Sequence, residues 1–150
     1  MFSQTVEYAL RAMVQVAADA PAASTTKSIA TKTKVPGAYL AKVLQSMRRA
    51  GLIHSRRGVG GGVTLAMPPK EISLLEVIDA VEPLQRTRSK SRSAASPLQR
   101  TLDAALGQIR ETFASVSLAD MLATTKAKST ARRRKPVKSA PRKRARASAK

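Results

Sequence analysis

Residues 58–62 read Gly-Val-Gly-Gly-Gly and place four of the chain's seven glycines in five consecutive positions. Neither a helix nor a regular strand holds there, because glycine loses more backbone freedom on ordering than any other residue. The flanks differ. Leu52-Ile53-His54-Ser55 and Val63-Thr64-Leu65-Ala66 are short and mostly aliphatic or β-branched, so the glycine run is a hairpin loop with Arg56 and Arg57 at its base. What precedes the hairpin narrows the fold further. Leu40, Val43, Leu44 and Met47 fall at i, i+3, i+4 and i+7, which predicts an amphipathic helix over residues 38–50, stopped by Gly51. A shorter helix from Lys27 to about Thr33 points Ile29 and Ala30 inward, and Val35-Pro36-Gly37 separates the two. Two short helices with a tight break, followed at once by a β-ribbon, are the pattern of a helix-turn-helix with a wing.

The remaining segments fit around that unit. Ser3 caps a helix running to about Asp19, with Val6, Leu10, Met13, Val14 and Ala17 on one face. Ser73 and Glu76 form a capping box before Leu74, Leu75, Val77, Ile78 and Val81. A long helix over residues 97–116 carries Leu98, Leu102, Ala105, Leu106, Ile109 and Phe113 in a stripe, and a final turn from Ser117 ends near Leu122. That stripe has two readings: it packs on its own domain, or it pairs with the same helix of a second subunit. The polar linker before it favours the homodimer. The expected fold is mainly α with a small β-hairpin wing. A winged helix-turn-helix domain covers residues 1–82, a basic linker 83–96, a dimerisation helix 97–122 and a disordered basic tail 123–150.

Charge limits the partners. Lys and Arg number 28 against 9 acidic residues, a formal +19. Residues 126–150 hold 12 of those cations and no acid, and residues 1–125 are still +7. Such a field attracts polyanions, of which nucleic acid is the commonest in a cell, and the winged pattern makes double-stranded DNA the expected partner. An anionic membrane answers the same field, but the tail has no interleaved Leu, Phe or Trp to enter lipid. Aromatic residues at 3% argue against an aromatic-rich β-sandwich, and the absence of cysteine excludes disulfides, thiolate metal sites and cysteine nucleophiles. Met1-Phe2-Ser3-Gln4 lacks a basic leader and Arg11 breaks the apolar pattern behind it, so a cytoplasmic, nucleoid-associated location is expected. Glu7, Glu71, Glu76, Asp79 and Glu82 form no paired arrangement for catalysis. The lone His54 has no evident metal-binding or acid–base companions and reads as structural or as a phosphate neighbour. No enzyme, cofactor or metal site is expected.

The chain resembles the Rrf2-type winged-helix transcription regulators. The matching residues are Tyr8-Ala9-Leu10-Arg11-Ala12, Tyr39-Leu40, Arg49-Ala50-Gly51-Leu52-Ile53, Arg57-Gly58 with Gly60-Gly61-Gly62, and Leu65-Ala66. Ile72-Ser73-Leu74-Leu75-Glu76-Val77-Ile78 and Ser117-Leu118-Ala119-Asp120 continue the match in order, over about residues 1–122. The resemblance implies a homodimer and places Ala38, Tyr39, Ala41 and Lys42 at the DNA-facing start of the recognition helix, with Arg57 in the wing. Many relatives carry Glu-Gln where this chain has Ala41-Lys42, which removes an acceptor for cytosine and adds a phosphate-seeking cation. Cluster-binding relatives also carry three cysteines, the last in a Cys-Pro-Leu-His context. Here Ser96-Pro97-Leu98-Gln99 stands in its place, so no iron–sulfur cluster is expected.

From the residues alone, Lys42, Gln45 and Arg49 fall away from the apolar stripe, and the bland alternative for them is a solvated helix face. The expected DNA-binding set is Ala38, Tyr39, Ala41, Lys42, Gln45, Arg48, Arg49, Arg56, Arg57 and Gly58. The expected dimer set is Leu98, Leu102, Leu106, Ile109 and Phe113. The expected function is sequence-specific regulation of transcription from a palindromic site, with the tail adding non-specific affinity. The alternative is an architectural DNA-binding protein of linker-histone-like design with little sequence preference. The sequence names no effector.

Overall fold

A computed structural model describes residues 3–83 and 96–133, with side chains as far as residue 125. The described elements are α1 (Gln4–Asp19), α2 (Thr26–Thr33), α3 (Gly37–Arg49), β1 (Ile53–Arg56), β2 (Gly62–Leu65), α4 (Leu74–Val81), α5 (Pro97–Ser115) and α6 (Leu118–Arg133). A single 3-10 turn, Pro69–Glu71, lies between β2 and α4.

Helix α1 is the hub. Ser3 caps it, its Oγ accepting from the Val6 N–H at 3.3 Å. Val6, Ala9, Ala12, Met13, Val16 and Ala17 are buried, a wider face than the expected stripe, because α2, α3, α4, α6 and β2 all pack around this helix. Leu10 and Val14 are only half-buried. Alanines at 9 and 12 let the neighbouring backbones come close, which a hydropathy stripe undervalues.

Thr25 caps α2 by accepting from the Ser28 N–H at 3.1 Å, and Lys34 ends it in the left-handed region at φ 57°. Val35 is buried in the turn that follows, and α3 then buries all four expected residues, Leu40, Val43, Leu44 and Met47. Gly51, at φ +75°, turns the chain out of α3. The Leu52 N–H goes back to the Met47 carbonyl while its own carbonyl accepts from the Ala66 N–H across the hairpin, both at 3.0 Å, so the regular strand starts at Ile53 although the expected ends Leu52 and Ala66 still pair. The hairpin register pairs Ile53 with Leu65, His54 with Thr64, Ser55 with Val63 and Arg56 with Gly62. Ile53 and Val63 are buried against the helical core. The loop after α1 joins β2 at Ser24, giving the hairpin a third edge.

The capping box of α4 is present, with the Ser73 N–H donating to Glu76 Oε2 at 2.8 Å and the Glu76 N–H donating to Ser73 Oγ at 3.2 Å. Ser96 caps α5, its Oγ accepting from the Gln99 N–H at 3.2 Å. The far end of α5 is tied down. The Leu74 N–H donates to the Val116 carbonyl and the Leu118 N–H to the Ile72 carbonyl, both at 2.9 Å, and Leu118 is fully buried. Arg110 reaches Asp79 of α4 at 3.1 Å.

Helix α6 corrects one expectation. It runs to Arg133 rather than ending near Leu122. Leu118 anchors its first turn, so the unfavourable nucleation step is already made. The Ala, Lys and Arg residues that follow are good helix formers and extend it without an apolar stripe. Residues 134–150 of the expected tail and 84–95 of the expected linker lie outside the described residues. Among the described helices, none is long and apolar enough to cross a membrane.

Candidate nucleic-acid interface

The buried stripe of α3 fixes what the helix offers to the outside. Ala38, Lys42, Gln45 and Arg49 follow one another at i, i+4, i+7 and i+11, a line opposite the stripe, and all are exposed. Ala41 and Arg48 flank that line on one side and are exposed too. Tyr39 lies on the other side, 53% exposed, with its ring 5.9 Å from that of Tyr8 in an edge-to-face contact. The half-buried Tyr8 thus supports the first turn of α3 from α1.

The wing continues this surface. Arg56 closes β1, and Arg57 and Gly58 follow it, all exposed. Arg48 of α3 and Arg56 of β1 line one cleft together, so the helix end and the hairpin share a face. The electrostatics are one-sided, since nine Lys and Arg and no acidic residue lie between Asp19 and Glu71. Of these nine, Lys32 is engaged by Asp19 at 2.8 Å. Such a surface suits phosphates, and the small Ala38 and Ala41 leave room for a base edge near the start of the helix.

Sequence reasoning did not single out Val59. It sits fully exposed at the wing tip between two glycines of positive φ. Its place in the middle of the glycine run was the available signal.

A second exposed surface runs along α5, none of whose residues is buried. Leu98, Leu102 and Ile109 are 68%, 49% and 39% exposed. Leu106 and Phe113 are half-buried, and Phe113 packs against the core near the tied-down end. The stripe therefore serves its own domain only at its C-terminal end. Its N-terminal two-thirds is apolar and uncovered.

Comparison with known proteins places the whole assembly. The family model of Rrf2, described as an iron-dependent transcriptional regulator, matches residues 2–124. An Rrf2-like HTH-type transcriptional regulator of Rhodobacter capsulatus is 35% identical over 121 residues, covering 77% of this chain and 81% of that protein. An HTH-type regulator of Mycobacterium tuberculosis is 31% identical over 120 residues, covering 79% and 66%. Among solved structures, IscR of T. potens superposes with a TM-score of 0.75 at 27% identity, over 85% of this chain and 90% of that one. CymR, the global cysteine regulator of B. subtilis, superposes with a TM-score of 0.71 at 25% identity, over 83% and 97%.

The family description names iron, and the donor set here does not fit a thiolate-held cluster. The chain has no cysteine. Among the described residues, no three of His, Asp and Glu come together. The hydroxyl of Ser96 is occupied as a helix cap.

Proposed function

The chain belongs to the Rrf2 family of transcriptional regulators, and on that premise we propose that it regulates transcription by binding a palindromic DNA site as a cluster-free homodimer. It is a regulator and not an enzyme. In this reading α3 enters the major groove, with the line Ala38, Lys42, Gln45 and Arg49 toward the duplex. Tyr39, Ala41 and Arg48 border that line, and Arg56, Arg57 and Gly58 bring the wing to the flanking phosphates. The observation that carries it is the continuity of an exposed, acid-free cationic face from α3 into the wing.

The uncovered leucines of α5 support the homodimer. Leu98, Leu102 and Ile109, continued by Leu106 and Phe113, offer a second copy the same stripe in return, as a two-fold pairing requires. Two recognition helices held this way read two half-sites. The basic residues beyond α6 then add affinity that does not depend on sequence.

The charge of the tail favours one other reading, an architectural protein that coats DNA with little preference. Selection of bound fragments from random DNA, with the full chain and with a chain ending at Arg133, separates them. A regulator enriches the same palindrome with both chains. A flat distribution, or binding that vanishes with the tail, establishes the architectural protein instead.

A further inference from the structure

A cleft opens where the end of α3 meets the hairpin. It holds about 580 Å³ between the last turn of α3 and the solvent face of the hairpin. His54 and Thr64 are cross-strand partners and so share one face. Arg56 lies two residues beyond His54 on that same face. Arg48 enters from the helix, placed by the turn in which the Gly51 N–H bonds to its carbonyl at 3.1 Å. No acidic residue lines the cleft. The ion pairs Arg11–Glu7, Lys32–Asp19 and Arg110–Asp79 lie elsewhere.

Two guanidinium forks, an imidazole and a hydroxyl approaching from three chain segments suit a tetrahedral oxyanion. A planar carboxylate has too few acceptor directions to use them all. Arg57, the next residue after Arg56, leads directly into the wing, so a strand of duplex lying along the wing passes this cleft. We infer that the cleft seats one backbone phosphate of the bound DNA, held by Arg48 and Arg56 with His54 and Thr64 as additional donors. Its role is to set the depth and register of α3 without choosing bases. The inference rests on the duplex-binding reading above, gives the phosphate-neighbour reading of His54 a definite seat and adds Thr64 to the contacts.

Ethylation interference on the full chain bound to its selected site tests this, with wild type compared against Arg48→Gln and Thr64→Val. In the wild type, ethylating one particular phosphate per half-site blocks binding. Arg48→Gln removes that block, weakens specific and random DNA alike by about tenfold, and flattens the log–log salt slope by about one unit per half-site. Thr64→Val weakens the same block with a smaller loss of affinity. The preferred bases stay the same in both. Unchanged interference and salt slope in Arg48→Gln overturn the inference, as does a change of preferred bases. A titration with inorganic pyrophosphate covers the other source of phosphate. Saturable binding lost in Arg48→Gln, with DNA affinity untouched, makes the cleft a small-anion site and also overturns the inference. Wild-type protein that fails to bind duplex at all sinks the broader reading, a result distinct from either of these.

Discussion

Ser24 and Val63 exchange two backbone hydrogen bonds, the Ser24 N–H to the Val63 carbonyl at 2.9 Å and the Val63 N–H to the Ser24 carbonyl at 2.8 Å. The root of the wing is thereby fixed to the loop that leaves α1. The Ser24 hydroxyl in turn donates to Asp19 at 2.6 Å, and Asp19 also accepts from Lys32 of α2 and Gln15 of α1. One carboxylate joins α1, α2 and the wing.

The joint leaves no room for a side chain at Gly62. A Cβ there lies 2.9 Å from the Ser24 carbonyl oxygen, and φ is +154°. Gly62→Ala is expected to destabilise the fold by roughly 2 kcal/mol, more than the ordinary effect of such a change, because the atoms the new Cβ meets first, the Ser24 carbonyl oxygen and carbon, are backbone and cannot swing away. Thermal unfolding followed by circular dichroism measures it. An unchanged midpoint removes the wing root from its assigned place.

Asp19 gives the fold an acid-sensitive point. Its hydrogen bond from Lys32, then that from Ser24, hold its carboxyl below the usual carboxylate range. A depressed folded-state pKa contributes stability that is present above the unfolded value, about 3.9, and is lost as pH falls through the folded one. Asp19→Asn is expected to lower stability at pH 7 by roughly 1 kcal/mol, discounted because Lys32 is half-exposed. The difference from wild type should persist down to about pH 4 and close only as the pH falls further and Asp19 itself takes up a proton. Urea unfolding at pH 7 and in steps below about pH 4 checks the sign.

Arg57 is the wing residue with the most to lose. Arg57→Ala is expected to weaken binding to the selected site by roughly 1–3 kcal/mol with no change in thermal stability, since its side chain is exposed. Fluorescence anisotropy with the selected duplex reads the loss, and an affinity equal to wild type takes Arg57 out of the interface.

Leu102→Asp places a charge on the uncovered stripe of α5. Sedimentation at micromolar concentration should give a dimer for wild type and a monomer for the variant. Helix content is retained, because Leu102 is already 49% exposed within the single chain. A wild-type monomer sends the stripe to another partner.

Ending the chain at Arg133 removes eight of its Lys and Arg. The log–log salt slope should flatten by several units while the preferred site is kept. A slope that does not move denies the tail any contact with phosphate.

Much of this was legible in the residues because the signals were local and redundant. The stripe of α3 survives intact, since Leu40, Val43, Leu44 and Met47 all face one core. The Ser73–Glu76 box needs only its own four residues. Neither of the features that reasoning missed leaves an apolar pattern. The Ser24–Val63 bridge is made of peptide groups, which every residue has, and only the glycine at 62 hints at a close approach. The length of α6 follows from an anchor at Leu118 and from intrinsic propensity, and a search for apolar periodicity passes over it. On α1 the alanines at 9 and 12 carry little hydropathy, yet they are fully buried because five other elements surround that helix. For the interface, exposure could be inferred as the complement of the stripe. That Arg48 and Arg56 line one cleft depends on the turn at Gly51, which no side-chain periodicity records.

The cap at Ser96 has a consequence for how such a protein is governed. The Ser96 Oγ accepts from the Gln99 N–H at 3.2 Å, so the first turn of α5 is closed by the chain's own hydroxyl and backbone, with no thiolate in its making. On the proposed reading, the start of α5 is set by a hydrogen bond within one chain, and binding responds to ionic strength through the phosphate contacts.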